Sequence, residues 1–166
     1  FQTTHATAEK LAELSGFPAA EIVVCSTGLI GEQLDRPKLL SGVTSAFDAL
    51  SETGGQDAAH AIMTTDTVAK LGSRSSADGW ALGGMAKGAG MLAPGLATML
   101  VVITTDAVLN SEQLDAALRA ATRVSFDRLD SDGCMSTNDQ VTLMSSGASQ
   151  KTPDLAEFTA LLTELC

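Results

Sequence analysis

Lys87-Gly88-Ala89-Gly90-Met91-Leu92-Ala93-Pro94-Gly95-Leu96-Ala97-Thr98-Met99-Leu100-Val101-Val102-Ile103 reads as a loop of small residues emptying into a buried strand. The glycines let backbone approach a ligand or another segment closely. Pro94 stiffens the turn and Gly95 relaxes it. Residues 99–103 are an apolar run of strand length. Thr98 therefore stands where the loop enters the sheet. Its hydroxyl has two readings. One is a strand-initial threonine bonded to nearby backbone. The other is a nucleophile, freed as a new amino terminus when the bond between Ala97 and Thr98 breaks, with its own α-amine as base.

Outward from this stretch, helices alternate with short apolar runs, which predicts an α/β or α+β fold. Toward the amino terminus, Thr3 or Thr4 caps a helix that runs to Leu14, and Gly16 and Pro18 end it. Residues 21–26, Glu-Ile-Val-Val-Cys-Ser, read as a buried strand running into Thr27-Gly28. A strand ending in this way presents backbone N–H groups that can hold an oxyanion, or it simply turns. A second helix spans 35–50, with Asp35 as cap and Pro37 in its first turn. Gly54-Gly55 interrupts the chain, and 57–63 is a short helical stretch. His5 and His60 have no partner in view and read as structural. Thr64-Thr65-Asp66-Thr67 can cap a helix or bind a polar ligand. Asp66 reads as either a turn residue or a site for an amino group. Gly72-Ser73-Arg74-Ser75-Ser76 has loop composition, and 80–86 resumes with strand-like alternation.

Beyond the central strand, a helix opens at Ser111 and runs to about Arg128, its narrow face formed by Leu114, Ala117, Leu118, Ala121 and Val124. Asp127, Asp130 and Asp132 miss the calcium-loop spacing in every frame, so this segment reads as a turn rich in Asx bonds. A last helix spans 154–165, capped by Thr152 or Asp154. Neither nucleotide-binding glycine pattern is present.

Composition narrows the function classes. Ten Lys and Arg stand against 20 Asp and Glu, a net charge of -10, without a basic cluster. That argues against a nucleic-acid partner and gives no support for an anionic membrane surface. No apolar run approaches the roughly 20 residues of a membrane helix. Aromatics are 4% of the chain, which predicts a core of Leu, Val, Ile, Met and Ala. Three cysteines, odd in number and without metal spacing, suit a reduced cytoplasmic setting.

Four blocks carry a resemblance: Cys25-Ser26-Thr27-Gly28-Leu29-Ile30-Gly31; Ala61-Ile62-Met63-Thr64-Thr65-Asp66-Thr67; Lys87-Gly88-Ala89-Gly90-Met91 with Pro94 and Ala97-Thr98-Met99-Leu100; and Asp130-Ser131-Asp132-Gly133-Cys134 with Ser136-Thr137-Asn138-Asp139. In this order they resemble the ornithine acetyltransferase family, the bifunctional glutamate N-acetyltransferases of arginine biosynthesis. The resemblance implies that residues 1–166 are a single catalytic-core segment from the middle of a longer precursor. Self-cleavage between Ala97 and Thr98 would then assign 1–97 to an α chain and 98–166 to a β chain. It implies a layered α-β-β-α sandwich similar to amino-terminal-nucleophile and aminopeptidase-type folds. Thr98 becomes the nucleophile, Thr27 and Gly28 the oxyanion hole, and Thr64 and Lys87 substrate contacts. The acetyl group passes from N-acetylornithine to glutamate without a cofactor, and acetyl-CoA stays open as a second donor. The last block is implied to stand at the active-site wall with no assigned chemistry. Two α and two β chains assemble as a heterotetramer. A glutamate and carboxy-terminal residues that the family uses fall outside this segment. Two alternatives remain: a self-processing amidase or aminopeptidase of the same architecture, and a non-catalytic segment that packs against a partner.

Overall fold

The computed structural model describes residues 1–29, 31–93, 96–136 and 139–166, with the side chains of Leu96 and Ala97 outside the description. The turn expected at Pro94-Gly95 lies outside the described residues, as do Ile30, Thr137 and Asn138. The chain packs as two compact units, Phe1–Gly54 and Gly55–Cys166, dividing at the Gly54-Gly55 pair.

In the first unit, α1 (Gln2–Ser15) packs on α2 (Arg36–Asp48). Gly16 closes α1 at φ 78 and donates its N–H to Ala12 O. This left-handed turn is open to glycine at no steric cost. Neither Thr3 nor Thr4 caps α1. Phe1 takes the cap position without a side-chain bond, so the helix starts earlier than expected. Asp35 does cap α2, accepting from Lys38 N at 3.1 Å, and a proline occupies the first turn. The strand expected at 21–26 does not form. Ala19–Glu21 is a 3-10 turn, and the following residues run without regular structure, leaving Val23 61% exposed. β-branched residues favour extended backbone, but a strand persists only where a neighbour completes its ladder. Among the described residues of this unit there is none.

The second unit holds α3 (Gly55–Ala61), β1 (Lys70–Ser75), β2 (Ala81–Lys87), β3 (Leu92–Ala93), β4 (Leu96–Ala97) and β5 (Leu100–Thr105). After them come α4 (Ser111–Val124), β6 (Gln140–Ser145) and α5 (Leu155–Leu165). The main sheet has four strands in the order β1-β2-β5-β6. The first two pairings are antiparallel, and β5–β6 is parallel. The intervening α4 makes that parallel crossover possible. β3 and β4 form a separate antiparallel pair with Leu92 opposite Ala97.

The stretch expected to be a loop, 72–76, instead falls largely within edge strand β1. Its glycine answers to packing. Gly72 lies opposite Gly84 in the register, and a Cβ on Gly72 would come within 3.1 Å of Leu165 Cδ1. The pair of glycines thus lets the end of α5 settle on the sheet.

Alternation in β2 and β5 sends Leu82, Val101 and Ile103 to one face. There they meet Ala117 and Ala121 of α4 and Phe158 and Leu162 of α5. The aliphatic core expected from composition is incomplete as an account. Trp80 and Phe158 are both fully buried, with ring centroids 5.4 Å apart. α3 lies against β1 and β2. The helix expected to reach Arg128 ends at Val124, which is 53% exposed, and a 3-10 turn, Phe126–Arg128, follows.

Candidate functional site

The site grows from the end of β2. Lys87 closes that strand opposite Leu100 of β5 and is 3% exposed. Its ammonium donates to the Thr98 carbonyl at 3.4 Å. Among the described residues no acidic side chain forms an ion pair with it. A buried cation is costly unless a partner compensates it, so the position suits a ligand with negative charge.

Gly88 follows at φ 152, a conformation that side chains disfavour. A Cβ there would press on Leu92 Cδ2 at 3.2 Å and on the Thr98 carbonyl at 3.4 Å. The glycine therefore allows the loop to pass tightly over Thr98. Its N–H donates to Asp66 Oδ1 at 2.8 Å. Asp66, buried, also accepts from Thr64 N at 3.2 Å and from the Lys70 ammonium. Burial pushes the Asp66 carboxyl up, but the Lys70 ammonium and the amides of Gly88 and Thr64 pull it down further, to about 2. Of the two readings open for Asp66, the turn residue holds here. One carboxylate ties the Thr64 turn to the segment carrying Lys87.

From Gly88 the chain reaches Met91, which has a left-handed φ of 57. The β3–β4 pair then carries it back, and Thr98 N donates to Met91 O at 3.0 Å. Thr98 is half-buried, and its hydroxyl donates to Ser136 Oγ. Met99 N donates to Asp139 Oδ1 at 3.2 Å, and Gln140 N to Met99 O at 2.9 Å. The loop 130–136 also grips the approach: Ser131 N donates to Leu92 O at 2.7 Å, and Met91 N to Asp132 Oδ2 at 2.9 Å. The Asx turns expected in this loop are present, with Gly133 N on Asp130 Oδ1 and Cys134 N on Asp132 Oδ1. The Met91 amide, then the Cys134 amide, hold the Asp132 carboxyl below its usual range.

Lys87 and Thr98 thus touch directly, and Asp66 links Thr64 to them through Gly88. Thr64 itself is exposed. Thr27 and Gly28 belong to the first unit, where Thr27 is half-buried and Gly28 exposed on a segment without regular structure. Sequence reasoning gave Ser136 and Asp132 no chemistry. Ser136 is 38 residues from Thr98, and no local spacing signals that contact. Among the described residues no group of three His, Cys, Asp or Glu side chains is placed to hold a metal ion, and no helix is long and apolar enough to cross a membrane.

Fold and site together define a mixed α/β protein in which a threonine hydroxyl and a buried lysine share the mouth of a central strand. The model of the ArgJ family matches residues 1–166. The chain is 64% identical to the arginine biosynthesis bifunctional protein ArgJ of Streptomyces coelicolor, over all of this chain and 43% of that protein. Identity to the protein of the same name from Thermobifida fusca is 63%, again over all of this chain and 43% of that protein. For the Mycobacterium leprae protein it is 54%, over all of this chain and 42% of that protein. The chain belongs to the ArgJ family, the family its four sequence blocks resemble. It spans less than half the length of these relatives.

Proposed function

We propose that this chain is the self-cleaving core of an acetyltransferase of arginine biosynthesis. The Thr98 hydroxyl attacks the Ala97 carbonyl carbon, and the C–O bond forms as the C–N bond breaks. The hydroxyl proton ends on the departing nitrogen, and water then hydrolyses the resulting ester. Thr98 is left with a free α-amine of pKa about 7.7–8.0, a suitable base for its own hydroxyl. It next takes the acetyl group of N-acetylornithine, releasing ornithine, and passes it to glutamate. Thr27 and Gly28 supply the oxyanion donors, each such donor being worth about 3 kcal/mol in enzymes of this kind. Lys87 and Thr64 bind the substrate, Lys87 through its carboxylate. Acetyl-CoA is the second donor of a bifunctional enzyme. The four-stranded sheet forms one layer of an α-β-β-α sandwich, and two α and two β chains assemble in the cytoplasm.

One observation carries this reading. The residue after Ala97 has its hydroxyl engaged by Ser136 and its carbonyl under a buried ammonium, at the entrance to the central strand. A purely strand-initial threonine needs neither group.

The test uses the full-length protein. Mass spectrometry should find a piece beginning at Thr98, absent from Thr98→Ala. Ornithine release from N-acetylornithine should rise when glutamate is added. Release that is unchanged by glutamate would assign the same nucleophile to an amidase. A full-length chain that stays intact would remove the self-cleaving reading.

A further inference from the structure

The loop 130–136 makes three separate attachments around Thr98. Ser136 accepts the hydroxyl proton of Thr98. Asp132 Oδ2 takes the Met91 amide at 2.9 Å. Ser131 N binds the Leu92 carbonyl at 2.7 Å. Met91 in turn accepts the Thr98 amide at 3.0 Å. The hydroxyl and the amide of Thr98 are thus both fixed from one loop, the first directly and the second through Met91.

Two of these attachments, those of Ser136 and Asp132, have a consequence for a threonine that must attack its own upstream carbonyl. With its proton directed at Ser136, Thr98 Oγ1 keeps its lone pairs free for carbon. The side chain is also held in one rotamer, which removes an entropy cost from the attack. Met91 adopts a left-handed φ of 57, costly for a side chain with a Cβ. The bond from Asp132 to the Met91 amide helps hold that conformation. It thereby helps fix the carbonyl that grips the Thr98 amide, the nitrogen that must leave.

We infer that the loop 130–136 is the positioning element for cleavage between Ala97 and Thr98, with Ser136 orienting the attacking hydroxyl and Asp132 anchoring the Met91 carbonyl that holds the leaving nitrogen. This rests on the self-cleavage reading above. Ser136 is unchanged across the step: the proton lost by Thr98 Oγ1 is gained by the Thr98 nitrogen.

The experiment follows cleavage of freshly made full-length protein by mass spectrometry, beside its melting temperature. Ser136→Ala should slow the appearance of the Thr98 piece tenfold or more without moving the melting temperature. Ser136→Thr, which restores a hydroxyl, should recover most of the rate. Asp132→Asn should slow cleavage as well. Once Ser136→Ala has been left to cleave to completion, its kcat for acetyl transfer should be lowered and its KM for N-acetylornithine unchanged. Wild-type cleavage rates in Ser136→Ala would overturn the assignment while leaving Thr98 as nucleophile. A loss that Ser136→Thr does not recover also counts against it. A wild-type protein that never breaks at this bond removes both proposals.

Discussion

At the scale of single residues, the site depends on a few buried polar groups whose partners come from distant sequence. Asp66 has the most at stake. Its carboxyl is held at about 2 against an ordinary 3.8, so the unfolded chain binds the extra proton between those values. Stability from this group is complete above about pH 4 and is lost as pH falls toward 2, a change of at most on the order of 2 kcal/mol. Asp66→Asn should therefore be less stable than wild type near neutrality, and the gap should narrow as pH drops from 4 to 2. Denaturant midpoints measured across that range test it, and a pH-independent gap would refute it. The sequence offered Asp66 two roles with no means of choosing. The choice came from Gly88, 22 residues on, whose N–H reaches the carboxylate.

Among the elements, periodicity located helices better than it located strands. Asp35 caps α2 as its sequence nominated, and of the two caps open for α5, Thr152 and Asp154, the structure uses Asp154; both choices are local because a cap is a bond between near neighbours. α4 begins at Ser111 as expected, and the residue before it, Asn110, supplies a reciprocal cap. Asn110 Oδ1 accepts from Gln113 N at 2.9 Å, and Gln113 Oε1 accepts from Asn110 N at 3.0 Å. Asn110→Ala should cost about 1 kcal/mol, read as a shift in denaturant midpoint with an unchanged slope. Strands were harder, since their partners are not local. Residues 21–26 have strand composition and, among the described residues, no ladder, whereas Lys70–Ser75 has loop composition and a complete ladder on β2. Gly72 looked like a turn residue and serves instead as clearance for Leu165.

For the molecule as a whole, the second unit rests on a core that its composition understates. Trp80 and Phe158 are two of only six aromatic residues in the chain, yet both lie at the centre of that core. Trp80→Ala should cost about 3–5 kcal/mol, the range for large buried aromatics. The indole N–H is buried with no hydrogen-bond partner among the described residues. Trp80→Phe should therefore cost well under half as much, because no bond is lost. Equilibrium denaturation of the two variants decides this, and equal losses would show that the N–H has a partner after all. The division at Gly54-Gly55 places Thr27 and Gly28 in one unit and Thr64, Lys87 and Thr98 in the other.

The sequence by itself determined the family, the α/β character, the cap of α2, and the central strand behind Thr98. Each of these is written in local spacing or in ordered blocks of residues, so it survives without knowledge of the fold. Tertiary structure alone decided which threonine neighbours matter. Ser136, Asp132 and Gly88 act on Thr98 or its surroundings through contacts made when β2, the β3–β4 pair and the loop 130–136 come together. It also turned an expected loop into β1 and left an expected strand unpaired among the described residues. The physical reason is the same throughout. A helix satisfies its backbone within a few residues of itself, but strands and buried polar groups find their partners only across the fold.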